Sequence, residues 1–406
     1  MSIEEHVLQY NKATELLHKG QYKKAIVLLK KSLATIESKE ALVNLGNCYR
    51  LEGNINKTFE CYKRALHPSV ICLESPAVIG HALNNLGLSY YTIGDDYNAQ
   101  QCYTKAIKGN DKFWEAWWNN STSVLRCASS GRPELFARGW EMYDSRFLKD
   151  PPIKLKNDSP NLQFWDTRSG GRSIVVLVEQ GIGDSIMFGR YLNSLRSLFD
   201  RVIVQADPSL EGLFTGYEQV THVSECDAEV AYPICSLAKC FNSGVPIDGK
   251  WLAGKFGSRP FPTDRFNIGI VHAGSKSHAN DANRSVSSGR FNRLSSIANL
   301  YSLTPGFTST KHIKSLGIKT WTDTAECING LDLVISVDTS VIHLVGSMGC
   351  EGWVLQPRQE TDFRWGNGVN RSAWYDTIEV FENPNSWETV FDNVELALRE
   401  KLYEKC

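Results

Sequence analysis

The residues best able to do chemistry lie in a glycine turn at 179–186, EQGIGDSI. An apolar run leads into the turn, and a helical pattern begins around Asp184. The turn lacks the third glycine of a dinucleotide fingerprint and the Lys of a phosphate loop. A carboxylate at a helix start also repels phosphate. The turn therefore predicts a close approach of a substrate hydroxyl to Gln180, Gly181 and Gly183.

Asp184 has two interpretations that the local pattern leaves open. A carboxylate at this position can accept the proton of a substrate hydroxyl and act as a general base. Asp is also a good helix N-cap, so a structural role fits the pattern equally well. The two roles are compatible with each other.

A second candidate site lies at 331–349, LDLVISVDTSVIHLVGSMG, which predicts a buried strand followed by a helix. The turn between them contains Asp338 and Thr339. Because the first amides of a helix are free and its dipole favours an anion, we expect a phosphate site here. His343 lies four residues after Thr339, on the same face. It could hydrogen-bond or neutralise a diphosphate, or it could be a core histidine.

A third candidate is the polar loop at 272–286, HAGSKSHANDANRSV, which follows another predicted strand. It carries Lys276, His278 and Arg284. Spaced cations of this kind suit an anionic ligand. An exposed, solvated loop would have the same composition.

The elements that must position these residues alternate between strand and helix from Trp165 onward. This alternation predicts parallel sheets with crossover helices. A segment rich in Gly and Pro at 254–265 separates two such halves, as a hinge would. Ligands bind at the carboxyl ends of such strands. The strand candidates are 172–180, 201–207, 221–225, 228–234, 265–274, 331–337 and 353–357.

The first third of the chain repeats itself, since 42–66 aligns with 83–107 and an earlier copy surrounds Gly20. The pattern resembles tetratricopeptide repeats. Small residues such as Gly46 and Gly87 would let the helices of one hairpin approach closely, and large residues would fill the space between hairpins. The repeats could bind a protein partner, mediate self-association, or brace the next domain.

Composition bounds the class of protein. With 42% hydrophobic and 22% charged residues and a net charge of -1, the chain is typical of a globular protein. A strong general binder of nucleic acid is not expected. Neither an apolar signal region nor a membrane span is predicted. The eleven scattered cysteines fit reduced thiols, so we expect a cytoplasmic location.

Four segments occur in an order that resembles one family, the heptosyltransferase-like glycosyltransferases of the GT-B fold, in the branch with N-terminal tetratricopeptide repeats. These segments are 179–192, 272–285, 336–349 and 361–375. The resemblance implies an α/β chain of two Rossmann-like domains preceded by an all-α repeat domain. It places repeats and junction at 1–150, the acceptor domain at 151–263 and the donor domain at 264–406.

The resemblance also implies a reaction, the inverting transfer of a hexosyl, heptosyl or pentosyl group from a nucleotide-sugar without a further cofactor. Asp184 would be the general base, and the glycine turn would bind the acceptor. The donor would be bound by Lys276, Arg284, Asp338, Thr339, Ser340, His343 and Arg364, with Asp362 and Trp365 closing its pocket. The chain has no Asp-x-Asp pair, so no carboxylate clamp for a metal is predicted, although another metal arrangement stays open.

Several alternatives remain at the level of sequence. The acceptor could be a glycan, a protein bound through the repeats, or a modified nucleobase. A non-catalytic scaffold and a nucleotide-sugar epimerase would share the domain outline. The chain also departs from the family in two places. Its segment 301–320 is short for the part that lines the nucleotide base, and Glu351 stands where Pro is common.

Overall fold

The computed structural model describes residues 3–73, 75–155, 159, 162–278, 280–357, 359–382 and 386–404. The chain forms two compact units, Met1–Val124 with Met142–Pro152 and Leu125–Glu141 with Ile153–Cys406. Helical repeats come first, and an α/β region with two parallel sheets follows, as predicted. The domain boundaries after 150 and 263 stay predictions.

The first unit is built from helical hairpins. Two of its glycines explain how the paired helices approach each other. A Cβ at Gly46 would lie 2.5 Å from the ring of Tyr62, and one at Gly87 would lie 2.7 Å from the ring of Tyr103. The predicted role of these small residues is therefore confirmed. The helices are α1 (Ile3–His18), α2 (Tyr22–Thr35), α3 (Lys39–Leu51), α4 (Ile55–Ala65), α5 (Ala77–Thr92) and α6 (Asp96–Gly109).

Large side chains join successive hairpins. Leu45 and Tyr49 of α3 belong to a buried cluster with Leu29 of α2. Tyr62 of α4 belongs to the next cluster, together with Leu86 of α5. Each hairpin thus buries its apolar face against its neighbour, which is how repeat proteins gain stability.

Two further helices, α7 (Trp114–Ser129) and α8 (Phe136–Tyr143), follow the repeats. Residues 125–141, which span parts of both, belong to the second unit. There the indole of Trp140 donates to the carbonyl of Gly244 at 2.9 Å. Its ring lies 5.6 Å from Phe188 and 6.0 Å from Trp374. This segment is therefore part of the core of the α/β region.

The first sheet has the order β1-β5-β2-β3-β4, with all neighbours parallel. After β2 the chain forms two short helices, α9 (Ile182–Phe188) and α10 (Leu192–Leu195), joined by a 3₁₀ turn. A Cβ at Gly189, in that turn, would lie 2.3 Å from the ring of Trp251. The strands are β1 (Gln163–Phe164), β2 (Gly171–Leu177), β3 (Phe199–Gln205), β4 (Glu218–Val220) and β5 (Val230–Pro233).

The strand predicted at 221–225 is wrong. The chain bends there and makes one 3₁₀ turn, Val223–Glu225. Local groups satisfy its backbone, because the carboxylate of Glu225 accepts from the amide of Thr221 at 3.0 Å. A polar side chain has thus replaced the strand ladder as a partner for the main chain.

The second sheet has the order β11-β10-β9-β6-β7-β8, again with parallel neighbours. Its strands are β6 (Asn267–Val271), β7 (Asn299–Ser302), β8 (Ile313–Ser315), β9 (Leu333–Val337), β10 (Gly352–Leu355) and β11 (Ile378–Phe381). Its helices are α11 (Asp281–Arg284), α12 (Trp321–Gly330), α13 (Ser340–Met348) and α14 (Trp387–Tyr403). The core of this sheet includes Ile335 of β9 and Phe391 of α14. No helix in the described residues is both long enough and apolar enough to cross a bilayer.

The segment at 254–265 is hydrogen-bonded to helix α12. The amide of Arg259 donates to the carbonyl of Glu326 at 2.9 Å, and Asn329 donates to the carbonyl of Phe256 at 2.9 Å. A Cβ at Gly330 would lie 1.9 Å from the carbonyl oxygen of Arg259. The linker therefore packs on α12, and Gly330 of that helix allows the close contact.

Candidate functional site

A cavity of about 440 Å³ lies in the α/β region. One wall is the turn 181–184, which follows β2 of the first sheet. The other wall comes from the second sheet, from residues that follow β6, β7, β9 and β10. The lining thus collects the carboxyl ends of strands from both sheets, where ligands of parallel sheets bind.

Most of the side chains singled out from the sequence meet in this cavity. Gln180 and Lys276 are not among the lining residues. Lys276 is exposed, and Gln180 has a left-handed backbone with φ of 61°. His278 and Asp362 do line the cavity, whereas Trp365 is buried behind it. The predicted residues in the lining are Gly181, Gly183, Asp184, Arg284, Asp338, Thr339, Ser340, His343 and Arg364.

Asp184 is the third residue of α9, and Gly181 is the N-cap. The prediction that Asp184 is the N-cap is therefore wrong by position. Its Oδ2 accepts from the amide of Gly181 at 3.0 Å, which satisfies one of the amides left free at a helix start. Its Oδ1 accepts from Nη2 of Arg364. Both oxygens of this carboxylate are thus engaged.

Gly183 allows α9 to pack against α13. A Cβ at Gly183 would lie 3.0 Å from Cδ2 of His343 and 3.5 Å from Cα of Ser340. Helices that follow strands of the two different sheets therefore touch at the wall of the cavity. This packing role accounts for the glycine, and its role in acceptor binding stays a prediction.

Helix α13 begins at the cavity wall, as the sequence predicts. Thr339 is its N-cap but makes no side-chain cap, because its hydroxyl lies 3.1 Å from that of Ser336. Thr339, Ser340 and Val341 line the cavity. A helix start of this kind can bind an anion through its amides.

His343 is buried one turn into α13. Its Nδ1 lies 3.1 Å from the hydroxyl of Tyr375, and its ring stacks on Trp365 at 5.1 Å. Burial lowers the pKa of His343 to about 3, and the nearby Arg364 adds to this effect. The imidazole is therefore neutral in this structure. It can offer a hydrogen bond to a phosphate, and its predicted role in binding a diphosphate stays a prediction.

Arg364 joins two carboxylates. Its Nη1 donates to both oxygens of Asp362 at 2.9 Å, and its Nη2 donates to Asp184. Burial raises the pKa of Asp362, but the guanidinium outweighs this effect and holds it below its usual range. The cation predicted to bind the donor is thus bound to two protein carboxylates in this structure.

The contacts of Asp338 differ from those of a simple phosphate ligand. Its Oδ1 accepts from the indole of Trp365 at 2.9 Å, and its carbonyl accepts from Arg284 at 2.9 Å. Burial and the neighbouring Asp362 raise the pKa of Asp338. The loop makes room for Arg284, since a Cβ at Gly274 would lie 2.5 Å from its Nη2.

Arg190 is a buried cation next to the site that sequence reasoning missed. It is buried and donates to the carbonyls of Met187 at 2.9 Å, Trp374 at 2.8 Å and Ile247 at 3.0 Å. Its guanidinium lies 4.7 Å from the ring of Tyr375, which in turn contacts His343. The available signal was a cation within an otherwise apolar helical stretch.

No cluster of three or more His, Cys, Asp or Glu side chains that could hold a metal occurs within the ranges that the structure covers. Metal-independent chemistry stays a prediction, because it concerns the reaction rather than this arrangement of side chains.

Comparison with known proteins matches one of the repeats. A family model described as tetratricopeptide repeat matches residues 80–110, the third predicted copy. A search of curated proteins finds no match to the chain.

Solved structures show more distant likenesses. A mutant O-GlcNAc transferase from Thermobaculum terrenum is 13% identical, with a TM-score of 0.37, over 100% of this chain and 94% of that chain. MamA is 19% identical, with a TM-score of 0.29, over 34% of this chain and 75% of its own. YrrB, a tetratricopeptide protein with an unusual peptide-binding site, is 16% identical, with a TM-score of 0.30, over 37% and 71%. At these TM-scores the fold rests on the strand order and helices described above.

Proposed function

We propose that this protein is an inverting glycosyltransferase that moves a sugar from a nucleotide-sugar to an acceptor hydroxyl. One observation carries the proposal. A single cavity holds the carboxylate of Asp184, which follows the first sheet, together with the start of α13 and the buried cations Arg284 and Arg364, which follow the second. A proton acceptor and an anion site thus face one space.

These groups match the needs of one in-line displacement. Asp184 takes the proton of the acceptor hydroxyl, and the resulting oxygen forms a bond to the anomeric carbon. The bond from that carbon to the diphosphate breaks on the opposite face, so the configuration inverts. The start of α13 and Arg284 stabilise the charge of the leaving diphosphate, and neutral His343 offers it a hydrogen bond.

The substrates are proposed only by class. The donor carries a hexosyl, heptosyl or pentosyl group, and the acceptor is a glycan, a protein or a modified nucleobase. The tetratricopeptide match at 80–110 supports a protein partner, or self-association, through the repeats. No further cofactor, no metal and a cytoplasmic location complete the proposal.

A thermal-shift screen against nucleoside diphosphates and nucleotide-sugars tests the donor site. A ligand present at about a hundred times its Kd stabilises the protein by about 2.7 kcal/mol. We expect one nucleotide to stabilise the wild type and Asp184→Asn, and to stabilise His343→Ala far less. With that donor, Asp184→Asn should reduce turnover by about 10²–10⁴-fold, the usual contribution of a general base.

A second candidate function is a non-catalytic scaffold, which is favoured by the engagement of both Asp184 oxygens. In this arrangement both oxygens already accept hydrogen bonds from protein groups. If no nucleotide stabilises any of the three proteins, the transferase proposal fails and the scaffold takes its place.

A further inference from the structure

Arg364 links the two walls of the cavity. Its guanidinium holds Asp362, two residues before it on the same wall, with Nη1. It holds Asp184, on the wall formed by the first sheet, with Nη2. The Arg364 and Asp184 side chains are only 10% and 14% exposed, so water screens this ion pair weakly. The pair therefore has to be broken before Arg364 can serve another anion.

The pair conflicts with the chemistry proposed for Asp184. A general base needs an oxygen that can receive the proton of the acceptor hydroxyl. Here Oδ2 accepts from Gly181, and Oδ1 accepts from Arg364. The bond to Gly181 belongs to the helix start and can persist during the reaction. The bond to Arg364 has to be released.

A diphosphate is well suited to release it. A guanidinium forms two parallel hydrogen bonds with a phosphate, as it does with a carboxylate. A diphosphate carries more negative charge than a carboxylate and therefore attracts the guanidinium more strongly. Arg284 and the start of α13 line the same cavity and would hold that diphosphate within reach. Asp362 would keep Arg364 in place through Nη1 while Nη2 changes partner.

We infer that Arg364 is exchanged between Asp184 and the donor diphosphate, so that the general base becomes available only once the donor is bound. This inference rests on the proposed function. It assigns Arg364 two successive partners and Asp362 the role of a positioning residue. It also implies an order in which the donor binds before the acceptor reacts.

The exchange predicts a competition that inorganic pyrophosphate can report. In the intact protein, Asp184→Asn removes the competitor for Arg364, while the Asn oxygen can still accept from Gly181. We expect pyrophosphate to bind this variant at least about tenfold more tightly than the wild type, because hydrogen bonds to charged groups are strong. Isothermal titration calorimetry without divalent metal measures the two affinities.

The second half of the experiment removes the exchanged group. Arg364→Gln alone would leave the half-buried Asp362 without its cation, so the double variant D362N/R364Q is the suitable background. In this background we expect Asp184→Asn to change the pyrophosphate affinity by less than about twofold, since no Arg364 has to be released from Asp184. Thermal unfolding confirms that each variant is folded.

Asp323→Asn is the matched control. Asp323 is also the third residue of a helix, α12, and accepts from the amide of Thr320 at 2.9 Å, as Asp184 does from Gly181. Removing its charge should leave pyrophosphate binding unchanged. A gain equal to that of Asp184→Asn would reduce the effect to general charge repulsion and overturn the exchange.

Two other results would also overturn it, and they are distinguishable. Equal tightening by Asp184→Asn in both backgrounds would mean that Asp184 only repels the anion, which leaves the transferase proposal intact. No binding of pyrophosphate to the wild type or to Asp184→Asn would remove the anion site itself, and with it both the exchange and the proposed function.

Discussion

Burial controls the charge of the titratable side chains around the cavity. It lowers the pKa of His343 and raises that of Asp338, so that both charged forms are disfavoured. Asp362 is the exception, because Arg364 compensates its burial. Arg364 thus forms one ion-pair network with Asp184 and Asp362, whereas burial disfavours the charged forms of His343 and Asp338.

His343 should make stability depend on pH. The unfolded chain binds a proton at this histidine below about pH 6.5, whereas the native state does so only near pH 3. As the pH falls between those two values, the free energy of unfolding of the wild type relative to His343→Gln should therefore decrease by about 1.4 kcal/mol for each pH unit. Urea unfolding of both proteins at pH 7, 6 and 5 measures it. Parallel pH profiles would contradict the prediction.

Asp338 should make stability depend on pH in the opposite sense to His343. Since its pKa is raised, the native state binds more protons than the unfolded chain between the two pKa values, and deprotonation costs stability as pH rises. Asp338→Asn keeps an acceptor for Trp365 and carries no charge. We expect this variant to be more stable than the wild type by roughly 1–3 kcal/mol at pH 7. The gain should shrink toward pH 4 in chemical unfolding, and a constant gain would count against it.

The sequence identifies the polar residues of the cavity better than their partners. Asp184, Asp338 and His343 lie in the turn or first helical turn that follows a strand, and that position can be inferred from hydrophobic patterning. Arg190 could not be inferred in the same way, because its acceptors are main-chain carbonyls far along the chain, such as that of Trp374. The partners of Arg364 depend equally on three-dimensional proximity.

Between elements, close contact is provided by glycines that face aromatic rings or helices. Gly46 in α3 contacts the fully buried ring of Tyr62 in α4. Gly80 in α5 has space, since a Cβ there would lie 3.6 Å from Phe113. The same substitution should therefore have opposite effects at these two positions.

Gly46→Ala should destabilise the helical unit by about 1–3 kcal/mol, because the ring of Tyr62 has to move away from the new methyl group. Gly80→Ala should stabilise it by about 0.5–1 kcal/mol, since alanine favours a helix and fits here. Urea unfolding followed by circular dichroism compares the pair. Similar effects of both substitutions would show that the contact with Tyr62 is not decisive.

Gly183→Ala tests the contact between α9 and α13. The methyl group would press on His343, so we expect a loss of about 1–3 kcal/mol and weaker binding of pyrophosphate. Gly181→Ala is the control, since its Cβ would meet only an oxygen of Asp184 at 3.3 Å. Thermal unfolding with and without pyrophosphate compares them, and equal losses would argue against the packing role.

Element prediction succeeds where hydrophobic periodicity is strong. The buried β9 and the following α13 begin and end close to the expected residues. The strand expected at 221–225 fails because Glu225 supplies a local partner to the backbone. Side-chain hydrogen bonds of this kind do not affect the hydrophobic pattern, so the sequence gives little warning of them.

At the scale of the whole molecule, the two compact units alternate along the chain. Residues 125–141 belong to the α/β unit, and 142–152 belong to the helical unit. Arg126 donates to the carbonyl of Thr361, and Ser129 accepts from the indole of Trp374. The α/β unit therefore depends on a segment, 125–141, that precedes its first strand, which begins at Gln163.

Trp140→Ala tests this dependence. Removing a buried Trp from a core costs about 3–5 kcal/mol, and Trp140 is 1% exposed. The transition whose temperature rises on addition of pyrophosphate is that of the α/β unit. We expect Trp140→Ala to lower the temperature of this transition strongly. Trp117→Ala, in the helical unit, should leave that transition in place. Differential scanning calorimetry of the intact chain resolves the two, and an unchanged transition in Trp140→Ala would refute the assignment.

The margins of the two sheets bear on solubility. Strands β1, β4, β8 and β11 form the four edges and have two, three, three and four residues. A long open edge offers unpaired amides and carbonyls to another chain, and short edges limit such pairing. The residue Arg371 also bridges to Glu379 of β11. The short edge strands therefore offer few backbone groups to which another chain could pair to form fibrils, even though the central strands are strongly apolar.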